Sequence, residues 1–238
     1  MLWSDDFIYL HAPKTAGKSL TRYFLSVWPR PIHGYIAKGQ FAEIADLDPT
    51  DLHLEAGRGH EGMHFAWKLF EERGVQIRNL KAIFVSVRNP YDLMVSNYFF
   101  QRETYERWPE ARSNANFRLA ASTDFDEYCR RSTAAPDVHW LKNGSHLPRN
   151  LRLIRFERLN EEIPALAREF GWPDVAFPHL NPSRRDDFHQ YLTPETERLI
   201  YERYRYFFDY GLYPRETFPE ADRGRVSEQP RRHGGGVG

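Results

Sequence analysis

The densest chemistry in this chain sits in ten residues, His11-Ala12-Pro13-Lys14-Thr15-Ala16-Gly17-Lys18-Ser19-Leu20, between an apolar run and a helical pattern. Lys14 and Lys18 supply positive charge, Thr15 and Ser19 hydroxyl donors, and Gly17 a backbone that a ligand can approach closely. A helix start adds exposed N–H groups at the positive end of its dipole. Together these suit a phosphate or sulfate; the plain alternative is an ordinary strand-to-helix turn with solvent-facing lysines. The letters nearly spell the phosphate loop G-x-x-x-x-G-K-[ST], with Ala12 where the first glycine belongs. A nucleoside triphosphate enzyme normally also has a strand-end acid to hold magnesium. Here a second strand ends in Val87-Arg88-Asn89, and an arginine at that place fits another anionic group better than a metal.

These loops need elements to hold them. Phe7-Ile8-Tyr9-Leu10-His11 reads as a strand that stops at Ala12-Pro13, and Leu20, Tyr23, Phe24 and Val27 recur at helical spacing until Pro29 and Pro31. Ala82-Ile83-Phe84-Val85-Ser86-Val87 reads as a strand covered on both faces, followed by a helix from Tyr91 to about Gln101 with Pro90 in its first turn. Leu52 to Gly57 and Leu151 to Phe156 read as further strands, the second leading into an amphipathic stretch from Leu159 to Phe170. A last helix is expected from about Pro194 to Phe208, with Thr193 as N-cap. Strands alternating with helices predict an α/β fold around a mainly parallel sheet.

The chain has 238 residues, 41% apolar and 15% aromatic, enough for a sizeable core, which excludes a small disulfide-stapled scaffold. Lys plus Arg and Asp plus Glu both number 33, so the net charge of zero argues against a partner such as a nucleic acid polymer, and any anion binding must be local. Lysines number six against 27 arginines, and two of the six lie in the first loop. The single cysteine, Cys129, excludes an intrachain disulfide and a cysteine-based zinc cluster, and reads as a buried or bystander thiol. No apolar stretch is long enough for a membrane span and the N-terminus shows no signal pattern, so a soluble, cytoplasmic protein is expected. Residues 1–225 are expected to form one domain, with 103–150 a helical insertion or lid, and 226–238 a disordered tail.

Pro13-Lys14-Thr15-Ala16-Gly17-Lys18-Ser19-Leu20 resembles the 5′-phosphosulfate loop of sulfotransferases that use 3′-phosphoadenylyl sulfate (PAPS). Arg88-Asn89-Pro90-Tyr91-Asp92-Leu93-Met94-Val95-Ser96 resembles that family's 3′-phosphate motif, an Arg followed eight residues later by a Ser. Phe156-Glu157-Arg158-Leu159, His179-Leu180-Asn181-Pro182-Ser183 and Phe208-Asp209-Tyr210-Gly211 look like the carbohydrate-type and related bacterial members, so the resemblance spans roughly residues 7 to 213. Lys18 departs from it, since the family more often has a hydroxyl residue there.

The resemblance implies a three-layer, P-loop-like α/β fold and transfer of a sulfuryl group from PAPS to an acceptor hydroxyl, with adenosine 3′,5′-bisphosphate as product and no metal. It implies nucleotide contacts from Lys14, Thr15, Ala16, Gly17, Lys18, Ser19 and Leu20, with Arg88 and Ser96 on the 3′-phosphate, and Lys14 at the bridging oxygen. Gly59-His60 is similar to a Gly-His segment of carbohydrate sulfotransferases, which makes His60 the first choice of general base, with Glu61, Glu55 and His64 behind it. The acceptor is expected to be a saccharide or small metabolite. A magnesium-dependent P-loop kinase and a non-catalytic glycan- or sulfate-binding module are the competing readings. Trp67, Trp108 and Trp140 can stack on a base or sugar but suit core packing or loop anchoring better, and Arg184-Arg185 reads better as a solvated pair than as a nucleotide clamp. His33, Arg231, Arg232 and His233 carry no site pattern.

Overall fold

Strand-forming runs in this chain assemble into one six-stranded sheet, ordered β4-β3-β1-β2-β5-β6. The strands are β1 (Leu2–Trp3), β2 (Phe7–Leu10), β3 (Ile32–Ile36), β4 (Leu52–Ala56), β5 (Ala82–Val87) and β6 (Leu151–Arg155). They belong to a computed structural model that describes residues 1–133, 141, 147–178 and 187–217. β2, β5 and β6 pair in parallel, as do β3 and β4. β1 pairs antiparallel with both β2 and β3, so those two run the same way and only β1 is reversed.

The α/β class with a mainly parallel sheet is as the alternation of elements indicates. Two strands escape sequence reading. β1 is two residues long, too short for any periodicity to register. β3 follows Pro29 and Pro31, which end the helical pattern without announcing a strand. Its Gly34 explains how β1 fits in: a Cβ there would lie 2.6 Å from Leu2 Cδ2 and 2.9 Å from the Met1 carbonyl.

Side chains of a strand alternate between the two faces of its sheet, so β2 serves two cores. Phe7 and Tyr9 pack with α1 (Gly17–Val27) and a later helix, Leu159–Phe170, while Ile8 and Leu10 face helices on the other side. Those are α2 (Met63–Glu72), α3 (Pro90–Arg107), α4 (Ala115–Ser122) and α5 (Phe125–Arg131). In chain order the Leu159–Phe170 helix is α6, and α7 (Pro194–Arg203) and α8 (Arg205–Asp209) complete the second face. This is the three-layer arrangement: helices, sheet, helices. β5 is buried along its whole length, as its apolar run requires, and its one polar residue, Ser86, is buried with its hydroxyl bonded to protein.

The helix ends follow the sequence in part. Asn89 caps α3 by accepting the Tyr91 N–H, with Pro90 in the first turn, and Thr193 caps α7 by accepting the Thr196 N–H. α3 continues to Arg107, a turn and a half past the expected end. The expected single helix from Pro194 to Phe208 breaks at Tyr204 into α7 and α8, with Tyr204 at the junction and Phe207 just beyond it both buried in the core. Of residues 103–150, the described part up to residue 133 is mainly helical, and Tyr128 and Cys129 of α5 are fully buried. Burial pushes the Cys129 thiol up to about 12, so it is inert at neutral pH. No helix among the described residues is long and apolar enough to cross a membrane. The tail expected to be disordered, with Arg231, Arg232 and His233, lies outside the described residues, as do Trp140, the His179 to Ser183 segment and Arg184-Arg185.

The face toward α1 and α6 is held by aromatic packing. Phe84 is fully buried and meets Phe24 (ring centroids 5.4 Å), Trp172 (5.6 Å), Phe170 (5.7 Å) and Phe7 (5.8 Å). Phe84→Ala is expected to lower the unfolding free energy by about 3–5 kcal/mol, through lost transfer and an unfilled cavity. Urea denaturation with unchanged m-value checks this; a loss under about 1 kcal/mol would mean that the cluster closes around the gap.

Candidate functional site

The first loop and the Arg88 loop both leave the C-terminal ends of neighbouring parallel strands, β2 and β5, where open α/β sheets form ligand crevices. The first loop is braced from beneath. Thr15 Oγ1 donates to the Ala12 carbonyl at 2.7 Å and lies 2.6 Å from Ser86 Oγ, which lies 3.2 Å from the Tyr9 hydroxyl. Since a carbonyl only accepts, the protons run one way, Tyr9 to Ser86 to Thr15 to Ala12. Burial pushes the Tyr9 phenol far up, keeping it a donor. The Thr15 hydroxyl, expected to face an anion, is instead internal because Ser86 and Ala12 satisfy it; what Thr15 can offer a ligand is its backbone N–H.

Lys14 and Ala16, on either side of Thr15, both adopt left-handed backbone (φ 62° and 64°). A side chain in that region costs about 1–2 kcal/mol, held here by the Thr15 brace. Left-handed residues in a turn are the backbone form that gathers successive N–H groups into an anion-binding concavity. Ala16 is the N-cap of α1 but offers no side-chain acceptor, and the first turn of α1 contains no acid. A helix start with no capping side chain at its N-cap and no acid in its first turn is the kind that suits an external anion.

Gly17 also meets a packing demand. A Cβ there would sit 1.5 Å from His11 Nε2, so the imidazole occupies the space that a side chain at residue 17 would take. His11 is 7% exposed, and burial, with His60, the N-terminal ammonium and Lys18 nearby, holds its proton affinity well below the usual value. It is a neutral packing ring. Leu20, expected at the nucleotide, is fully buried in the aromatic core and its N–H donates to the Ala16 carbonyl; it anchors α1. Ser19 is buried in the first turn. Lys18 points elsewhere too: its Nζ pairs with Glu43 Oε1 at 2.6 Å.

Arg88 is the junction. It is 5% exposed, with Nη1 donating to the Lys14 carbonyl (2.8 Å) and to Ser96 Oγ (3.2 Å), and Nε donating to Asp92 Oδ2 (2.6 Å). The guanidinium carbon lies 3.9 Å from the centre of the Phe156 ring. Sequence reading missed Asp92, although its i+4 spacing from Arg88 on α3 was a usable signal. It also missed Phe100, one turn beyond Ser96, whose ring centre is 4.1 Å from Lys14 Nζ. The Arg88 loop is steadied by Glu157, which accepts the Asn89 N–H (2.6 Å) and the Tyr213 hydroxyl (3.0 Å).

His60 is exposed and its Nδ1 lies 3.0 Å from the His11 carbonyl, its ring 4.5 Å from that of His11. A carbonyl can only accept, so Nδ1 carries the proton and Nε2 of the neutral ring keeps its lone pair. The candidate base is thus placed by the first loop itself. Glu61 is committed inward: Oε1 accepts the N–H groups of Arg58 (3.0 Å) and Gly59 (3.3 Å), and Oε2 meets the Met1 ammonium (3.3 Å). Glu55 is exposed on edge strand β4, and His64 is exposed at the start of α2. Trp67 packs partly buried against the core, and Trp108 is left exposed beyond α3.

Two outcomes follow from the packing of His11 on Gly17. Gly17→Ala is expected to destabilise the fold by about 1–3 kcal/mol, and His11→Ala in the same chain to recover much of that loss; additive losses in a double-mutant cycle would refute the contact. Because the folded His11 has a depressed pKa, its contribution is complete above the unfolded value of 6.5 and is lost as pH falls below it. Stability measured by denaturant titration should decline across that range, and His11→Asn should flatten the decline.

No protein-family profile matches the chain, and no curated protein matches it. Among solved structures it is similar to mouse sulfotransferase SULT7A1 complexed with PAP, at 15% identity, with 85% of each chain covered and a TM-score of 0.45.

Proposed function

We propose that this protein is a PAPS-dependent sulfotransferase acting on an acceptor hydroxyl. The observation that carries the reading is the Arg88 guanidinium, whose Nη1 touches both the Lys14 carbonyl and Ser96, so the two motifs that resemble the 5′-phosphosulfate and 3′-phosphate sites share one crevice. The donor set fits such a nucleotide. The uncapped start of α1 and the left-handed backbone around Thr15 take the 5′-phosphosulfate, and Arg88 with Ser96 takes the 3′-phosphate. Lys18, held by Glu43, and Leu20, in the core, fall outside this contact set.

Bound PAPS supplies an activated sulfuryl group. Lys14 neutralises charge growing on the bridging oxygen as the S–O bond to the 5′-phosphate breaks, with the electron pair staying on the phosphate. Phe100 holds the Lys14 ammonium over its ring and limits where it can reach. The acceptor oxygen bonds to sulfur as its proton passes to His60 Nε2, the ring nitrogen left unprotonated by the contact with His11. Glu61 acts through His60's loop rather than on substrate. The reacting group carries one negative charge, so lysine and backbone dipoles suffice and no metal is required. A saccharide or small metabolite is the acceptor class that the resemblance to carbohydrate-type members favours, and the cytoplasm is the setting we propose for it.

Thermal denaturation distinguishes this from ATP chemistry, because a ligand bound only by the folded state raises Tm. Adenosine 3′,5′-bisphosphate with a chelator present should raise Tm, and Arg88→Ala should abolish the rise. Stabilisation by Mg-ATP alone would overturn the reading. With labelled PAPS and a panel of hydroxyl acceptors, His60→Ala should lower kcat by about 10² or more while bisphosphate affinity stays unchanged. Lys14→Ala should remove transfer and slow PAPS hydrolysis alike; transfer persisting in both variants would refute the roles given.

A further inference from the structure

At the opposite end of the sheet from the first loop, the structure contains a recess of about 140 Å³ lined by Trp3, Ser4, Asp5, His33, Phe70, Arg73, Val75 and Leu80. The topology places it there. Trp3 of β1 pairs with Ile8 and His33, near the starts of β2 and β3, and α2 descends from the His60 loop to end beside it at Phe70 and Arg73. None of its lining residues belongs to the crevice described above.

Its wall is aromatic. Trp3 stacks on His33 (centroids 5.5 Å, planes 13° apart) and meets Phe70 edge-on (6.4 Å), and His33 stacks in turn on His53 (4.8 Å). Burial, His53 and Arg73 hold the His33 proton affinity down, so at neutral pH His33 is a flat neutral ring and not a cation.

Two polar groups at the recess have no protein acceptor among the described residues. Ser4 is 5% exposed, and its Oγ is buried with no hydrogen-bond partner among the described residues. Arg73 lies with its guanidinium carbon 4.9 Å from the Trp3 ring centre, and among the described residues no carboxylate forms an ion pair with it. A buried hydroxyl without a partner costs about 1–3 kcal/mol, which an acceptor entering the recess would offset. The one carboxylate on the lining, Asp5, is exposed and solvated at the rim.

The size is informative as well. An apolar cavity of about 150 Å³ accommodates one benzene ring. We infer that this recess binds a single-ring aromatic carboxylate, its ring against Trp3, Phe70, Val75 and Leu80 and its carboxylate on Arg73 and the Ser4 hydroxyl. Ring stacking and a charge-assisted hydrogen bond are both available to that class and not to a simple inorganic anion or an alkane.

Saturation-transfer NMR on the full chain tests this with benzoate and benzyl alcohol as probes. Benzoate should bind saturably, benzyl alcohol at least about tenfold more weakly, and Arg73→Met should weaken benzoate at least about tenfold, as expected for loss of a charge-assisted contact. Ser4→Ala should weaken it several-fold, and saturating adenosine 3′,5′-bisphosphate should leave benzoate bound. Arg73 is exposed, so its replacement leaves the core intact; a circular dichroism melt confirms that, and Arg73→Met decides the matter if Ser4→Ala perturbs the fold. Absence of saturable benzoate binding, equal binding by Arg73→Met, or displacement by the bisphosphate would each overturn the inference. Since the recess and the crevice share no residues, failure here leaves the sulfotransferase reading untouched.

Discussion

A buried guanidinium holds the working end of this protein together. Arg88 follows β5 directly, is nearly shielded from water, and reaches the Lys14 carbonyl, Ser96 and Asp92, with Phe156 against its face. A charge at that depth persists only where hydrogen bonds and a counter-ion replace its lost hydration. The groups that meet this demand come from the first loop and from two successive turns of α3, and Phe156, in the segment after β6, covers the guanidinium face. Solvating one cation with protein groups thereby fixes the relative position of both candidate phosphate loops.

The first loop is shaped by the same logic of internal satisfaction. Its left-handed Lys14 and Ala16 are unfavourable alone, yet the hydroxyl chain from Tyr9 through Ser86 to Thr15 leaves the loop little freedom to relax. His11 fills the space over Gly17 and, through its carbonyl, sets the tautomer of His60. Much of what reads as ligand chemistry in the sequence is thus scaffolding. The hydroxyl of Thr15, the glycine and the leucine shape the backbone, and the proposed function gives the anion to that backbone.

Legibility varied with how local each feature is. β2, β5, β6 and β4 show in the sequence because apolar runs or alternation of four to six residues exceed chance, and α1 and α6 because their apolar residues share one face. The cap at Thr193 and the Asn89-Pro90 start of α3 are visible because caps act within three or four residues. β1 could not be read, having only two residues and depending for its place on pairing with β2 and with Gly34 and His33 of β3. The break between α7 and α8 was invisible because Tyr204 and Phe207, three residues apart, share one face of a continuous helix and so give no sign of an interruption.

The sequence by itself determined the two things that need only neighbours along the chain: an α/β alternation, and two strand-loop-helix units carrying lysines, an arginine and hydroxyls at spacings suited to anions. Tertiary structure decided which of those groups remain available. Lys18 meets Glu43 25 residues on, Thr15 meets Ser86 71 residues on, and Arg88 meets Lys14 across 74 residues. Such pairings depend on strand order, through which β5 lies beside β2 although two other strands, β3 and β4, and two α-helices, α1 and α2, intervene in the chain. The physical reason is that charge and hydroxyl count are properties of composition, whereas the direction in which a charge points is set by what else is buried beside it.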